Sequence, residues 1–140
     1  MTTAVDSNVL VALWDRDPAV SNVAQKALDA ALERGSLVLS APVFAELIAA
    51  PGRTEEFLHT FCADTGIRVE FSLEEEIWLL AGRAFRSYAA RRRKQGDPGP
   101  RRILADFLIG AHAFHHGYRL LTLDSRLYRA AFSGLTLITV

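Results

Sequence analysis

The chain has 140 residues, half of them hydrophobic and 23% charged, which suits a single globular domain over residues 1–140 and excludes disordered and coiled-coil architectures. Sixteen basic residues balance 16 acidic ones, so the total charge says nothing about partners and only its distribution can. One cysteine, Cys62, excludes an internal disulfide and reads as a small buried hydrophobe. The absence of any uncharged apolar run near ~18 residues, with a start that is no signal peptide, leads us to expect a cytoplasmic protein with no membrane partner.

Residues 3–5 form a short strand that stops at Asp6. DSNVLVALWD then starts a helix, with Asp6 or Ser7 able to cap it and Val9, Leu10, Leu13 and Trp14 at helical spacing. Asp17-Pro18 breaks it. An amphipathic helix over 20–34 follows through Val23, Ala24, Ala27, Leu28, Ala31 and Leu32, and Gly35 ends it. LVLS (37–40) is a buried strand. Pro42 opens a helix to residue 50 that buries Phe44, Leu47 and Ile48, carries Glu46, and stops at Pro51-Gly52.

A short helix over 53–63 leads through Gly66 to a strand at 67–71. Ser72 and Glu75 match a capping box for a long helix over 73–94, which the loop signature GDPGP (96–100) ends. Residues 101–132 read as a helix, a turn at Gly117, a buried strand and another helix, and 135–140 form a last strand. Short apolar strands alternating with helices predict an α/β fold, a three-layer α/β/α sandwich around a mostly parallel sheet of roughly five strands. Sites in such sheets form outside the carboxyl ends of the strands, where the strand order reverses. Asp6 ends the first strand and Asp124 the fourth, so if those strands are neighbours both carboxylates reach one crevice.

Four acids have unusual settings: Asp6, Glu46, Asp106 and Asp124. Helical arithmetic puts Gly110 and Ala113 on the side of Asp106, leaving room for something to approach, while Ala45, Ala49 and Ala50 flank Glu46. Carboxylates gathered in one crevice repel each other, which raises their pKa values and weakens folding unless a cation offsets the charge. Oxygen-only ligation selects Mg²⁺ or Mn²⁺, and water activated by such an ion can attack a phosphodiester. Equally, any one of these acids could be a helix cap or a solvated surface charge.

AVDSNVLVAL resembles the opening strand of PIN-domain ribonucleases, VFAELIAA their second acidic motif, ADFLIGAHA the third and LLTLD the fourth, in the family's order and over essentially the whole chain. The ending DFLIGAHA…RLLTLD…YRAAF…GLTLI looks most like the VapC-type toxins of bacterial toxin–antitoxin pairs. The resemblance implies a PIN-like fold and an endoribonuclease toxin in which Asp6, Glu46, Asp106 and Asp124 hold one or two Mg²⁺ or Mn²⁺ ions. Ser7 and Thr122 would be polar supports. It further implies an RNA substrate, a cognate antitoxin whose segment binds the crevice, and a homodimer. Leu123 departs from the pattern, where many relatives have a polar or basic residue.

Eight of the 16 basic residues fall between Arg83 and Arg102, opposed in that window by Asp97. Arg91, Arg92, Arg93, Arg101 and Arg102 are candidates for an RNA-backbone track, and the same run also suits a solvated helix end. His112, His115 and His116 have no cysteine or acid at ligand spacing and read as helix-end or core-edge residues. Ile77, Trp78, Leu80, Ala81 and Phe85, with Phe57, Leu58 and Phe61, are candidate partner surfaces or plain core. A phosphoacceptor domain would need a lysine after its last strand, and neither Lys26 nor Lys94 qualifies. The alternative from another class is a catalytically silent PIN-like module that binds RNA or a partner.

Overall fold

A computed structural model describes residues 1–96 and 101–140. The loop expected over 96–100, beyond Gly96 itself, therefore lies outside the described residues, as does Asp97. The elements are β1 (Thr3–Val5), α1 (Ser7–Leu13), α2 (Pro18–Arg34), β2 (Leu37–Ser40), α3 (Ala41–Ala49), α4 (Glu55–Thr65), β3 (Arg68–Glu70), α5 (Glu75–Gln95), α6 (Leu104–His116), β4 (Arg119–Thr122), α7 (Ser125–Ala131) and β5 (Leu137–Thr139). The strands form one sheet in the order β3-β2-β1-β4-β5. Every neighbouring pair is parallel, so the mostly parallel expectation sharpens to an all-parallel sheet.

Burial follows from position. β1, β2 and β4 are inner strands buried at every residue, which is why they read as continuous apolar runs, while the edge strands β3 and β5 are partly exposed. The order reverses between β1 and β4, whose registers match Thr3 with Arg119 and Val5 with Leu121. The first and fourth strands are thus neighbours, and the chain leaves both at the same edge.

Several local expectations change. α5 begins at Glu75 after Glu74, with no side-chain cap, so the Ser72–Glu75 box does not form. In α2 only Ala24, Leu28 and Ala31 are buried. Val23 and Leu32 face outward, as does Ile48 of α3, because the apolar stripes are wider than the surface that covers them. Of the candidate partner surfaces, Leu58, Ile77 and Ala81 are core, whereas Phe57 and Trp78 stay exposed. Cys62 is buried as expected.

Gly117 closes α6 in the left-handed region at φ 70°, where a side chain would strain the backbone. Gly110 serves a different purpose. A Cβ there would meet the ring of Phe132 at 2.3 Å, so the space expected beside Asp106 is filled by an aromatic side chain from the end of α7. Ala113 is likewise fully buried.

Two glycine-to-alanine changes in helices should therefore act in opposite directions. Gly82→Ala in α5 meets nothing within 4 Å and gains helix propensity, so it should stabilise by up to about 1 kcal/mol. Gly110→Ala must displace buried Phe132 and should cost about 1–3 kcal/mol. Urea unfolding of the two variants against wild type checks the pair, and equal signs would contradict this packing.

Candidate active site

The crevice lies where β1 and β4 end. Asp6 follows β1 and is 5% exposed. It stands at the N-cap of α1, yet its side chain makes no capping bond. Instead its Oδ2 accepts hydrogen bonds from the Thr122 hydroxyl at 2.8 Å and the Tyr128 hydroxyl at 3.0 Å. Thr122 Oγ1 in turn accepts from the backbone N–H of Asp124 at 2.9 Å. One hydroxyl thereby holds the first and last acids in a common frame.

Glu46 reaches the crevice from α3. Ser7 links it in: its hydroxyl donates to Glu46 Oε1 at 2.9 Å and lies 3.5 Å from Asp6 Oδ1. Asp106 is in the first turn of α6, where its Oδ2 accepts from the Ile103 N–H at 3.2 Å. Asp124 does not cap α7. Its Oδ2 meets Arg102 Nη1 at 2.6 Å, in a pair whose side chains are 31% and 25% exposed.

The electrostatics tie the four acids together. Burial pushes the Asp6 carboxyl above its ordinary value against the hydrogen bonds from Thr122, Tyr128 and the Ser7 backbone, and the charge of Asp106 adds to the rise. Glu46 is raised by burial, with Asp6 and Asp106 contributing against the Ser7 bond. Asp106 is raised by burial, with Asp124 contributing against the Ile103 bond and Arg102. Tyr128 is pushed far up by burial and by the negative charge of Asp6, so its hydroxyl stays a proton donor. The sequence-predicted acids Asp6, Glu46, Asp106 and Asp124 and supports Ser7 and Thr122 are thus brought together.

Sequence reasoning missed Tyr128, whose place in an apolar helical pattern reads as core; only the hydroxyl facing a buried carboxylate distinguishes it. It also missed Asn8, whose Oδ1 accepts from the Leu123 N–H at 3.2 Å and fixes the loop after β4. The side chain of Leu123 is exposed beside the crevice. The basic run divides. Arg102 belongs to the crevice through Asp124, Arg92 donates to the Tyr88 hydroxyl at 3.2 Å, and Arg92, Arg93 and Arg101 line a hollow with Phe85 and Tyr88. Arg83 and Arg91 share another hollow with Ala130.

An all-oxygen donor set in which Asp6, Glu46 and Asp106 are raised by burial and by neighbouring negative charge fits a hard divalent cation, because such an ion offsets the buried negative charge. Among the described residues, Arg102 is the side-chain cation that forms an ion pair in this group, with Asp124.

The PIN domain family model matches residues 3–133. Among solved structures, VapBC2 from Rickettsia felis bound to a promoter DNA fragment superposes with a TM-score of 0.68 at 16% identity, covering 99% of this chain and 98% of its own. VapBC-1 from nontypeable Haemophilus influenzae gives 0.68 at 22%, covering 99% and 98%. A toxin-antitoxin complex from Klebsiella pneumoniae gives 0.59 at 21%, covering 98% and 96%. No curated protein sequence matches the chain. Among the described residues no helix is long and apolar enough to cross a membrane.

The raised carboxyls set a pH dependence. A carboxyl whose folded pKa lies above its unfolded value, 3.8 for Asp, stabilises the fold fully below that value and loses the contribution as pH rises through the folded pKa. Asp106→Asn, which keeps an acceptor for the Ile103 N–H, should therefore stabilise the cation-free protein at pH 7, by about 1 kcal/mol or less given its partial solvation. The gain should vanish near pH 3.8. Thermal unfolding of both proteins in chelator across pH 3.5–7.5 tests this; a gain independent of pH would count against the raised carboxyl of Asp106 as its source.

Proposed function

The chain belongs to the PIN domain family, and on that footing we propose that it is a divalent-metal-dependent endoribonuclease and the toxin of a type II toxin–antitoxin pair, its 140 residues acting as one PIN-like domain. The observation that supports the chemistry best is the Thr122 hydroxyl, which joins Asp6 to the backbone of Asp124 at the switch point of the sheet. Asp6, Glu46, Asp106 and Asp124 would hold Mg²⁺ or Mn²⁺. Such an ion, when bound, supplies an activated water and neutralises charge developing on a phosphodiester.

The remaining work falls to this chain's own residues. Thr122 and Tyr128 aim Asp6 and keep it from swinging, because a buried carboxylate with two hydroxyl donors has one favoured orientation. Ser7 spaces Glu46 from Asp6. Arg102 carries the basic run to the rim of the crevice through Asp124, and Arg91, Arg92, Arg93 and Arg101 extend it as a track for the RNA backbone. Exposed Phe57 and Trp78 offer apolar surface to a cognate antitoxin and to a second copy in a homodimer. The Klebsiella pneumoniae relative is a toxin-antitoxin complex, which supports the antitoxin as partner.

Incubation of the purified chain with a mixed RNA pool should give cleavage that needs Mg²⁺ or Mn²⁺ and falls to background in Asp6→Asn and Asp106→Asn. Thr122→Val, which keeps the shape but not the hydroxyl, should lower activity about 10–100-fold. Cleavage that persists in both acid variants would overturn the catalytic assignment. Metal binding without turnover under all conditions would leave a silent binding module instead.

A further inference from the structure

At the end of α6 remote from Asp106, the fold assembles a second group of ligand side chains of different chemistry. His112 and His116 lie four residues apart, on one face of the helix, with ring centroids 5.1 Å apart. Glu70, at the end of edge strand β3, comes to meet them. Its Oε1 lies 2.8 Å from His112 Nε2. Glu74, just before α5, approaches His116 Nε2 at 3.3 Å and His115 Nε2 at 3.9 Å. The acids missing from the sequence around these histidines thus come from some forty residues away, across the sheet.

We propose that Glu70, His112 and His116 form a binding site for a zinc-like transition-metal dication, separate from the carboxylate crevice and bracing edge strand β3 to α6. Their ligand atoms lie within 4.8 Å of one another. Ligands around tetrahedral zinc sit roughly 3.3–3.5 Å apart given bonds of about 2.0–2.1 Å, so small side-chain adjustments close the site. Two imidazoles and one carboxylate suit Zn²⁺ and neighbouring transition metals rather than Mg²⁺, and leave a fourth position for water.

The supports around the ligands are already in place. Glu70 divides its oxygens: Oε2 accepts from Arg68 at 3.1 Å and from the Tyr118 hydroxyl at 2.9 Å, which fixes the carboxylate and leaves Oε1 facing the histidines. The Tyr118 ring also stacks on His116 at 5.0 Å and 18°, holding that imidazole in position. This is the outer support that ordered metal ligands need. His112 is fully buried, and among the described residues its Nδ1 has no hydrogen-bond partner.

The protonation states agree with the geometry. Burial favours neutral His112, the form that ligates, against the pull of Glu70. For Glu70, burial raises the carboxyl but hydrogen bonds from His112, Arg68 and Tyr118 outweigh it, so the group is ionised. Two acids, Glu70 and Glu74, flank three imidazoles with Arg68 as the paired cation, and a dication complements that balance.

The site stands whether or not the chain cleaves RNA, and its test reads binding alone. Isothermal titration of chelator-treated full-length protein with ZnCl₂ in Mg²⁺-free buffer should show a zinc equivalent that survives in the Asp6→Asn/Asp106→Asn double variant. That equivalent should weaken more than ~100-fold in His116→Ala and in Glu70→Gln. His116 is partly exposed at a helix end, so His116→Ala should keep its fold, checked by an unchanged melting temperature in chelator. Zinc at 100 times its Kd should raise the melting temperature of the double variant by about 5–10 °C, with no such rise in His116→Ala. No zinc binding by the wild type, or an equivalent lost in the double variant and kept in His116→Ala, would overturn the proposal.

Discussion

The candidate site depends on one hydroxyl. Thr122 is completely buried at the end of β4, donates to Asp6 and accepts from the Asp124 backbone. A hydroxyl suits both roles at once, since it carries a donor and acceptor lone pairs, whereas valine of the same shape offers neither. The bond works only because β4 lies directly beside β1 in parallel register, which brings two residues 116 apart in sequence into contact. Sheet order and site geometry are therefore a single constraint: a different neighbour for β1 would leave Asp6 buried without its partners.

The fold carries a cost for this arrangement. Asp6, Glu46 and Asp106 are all raised, first by burial and then by the charge of neighbouring acids (Asp106 for Asp6, Asp6 and Asp106 for Glu46, Asp124 for Asp106), so at neutral pH their ionised forms oppose folding. The large apolar core on which the crevice rests, including Leu10, Leu47, Phe107, Leu120 and Leu121, supplies the compensating stability. The local hydrogen bonds set direction more than they set stability. Tyr128, Thr122 and Ser7 hold carboxylates at chosen angles, and Arg102 holds Asp124. Charge that disfavours the fold is tolerated where it is oriented for use.

Much of this was legible in the sequence, and the parts that were not share a physical reason. Strand-terminal Asp6 and Asp124 announced themselves because a charge at the end of a continuous apolar run is rare, and α/β periodicity made their strands parallel. Asp106 stood out in an apolar helix and Glu46 among flanking alanines, and the order of motifs tied both to the same set. What the sequence hid was tertiary satisfaction of polar groups. Tyr128 looks like core until its hydroxyl is found on Asp6, and Arg102 looks like part of a basic track until its guanidinium is found on Asp124. Gly110 looked like open space and is instead the seat of Phe132, because a gap on a helix says nothing about what the rest of the chain puts there. The capping box at Ser72 failed because α5 starts two residues later than its pattern implies.

Helix α6 shows how one element can serve two chemistries. Its N-terminal turn carries Asp106, where the positive end of the helix dipole favours a carboxylate and offsets part of the repulsion from its neighbours, by about 0.3–1 kcal/mol. Its C-terminal turn carries His115 and His116. At 1.5 Å per residue, His112 lies roughly 9 Å and His116 roughly 15 Å along the axis from Asp106. Carboxylate oxygens gather at one end and the imidazoles of His112 and His116 toward the other, so the two ends would suit different classes of cation by ligand type. The buried stretch between them, from Phe107 to Ala111, packs as core and keeps that separation fixed.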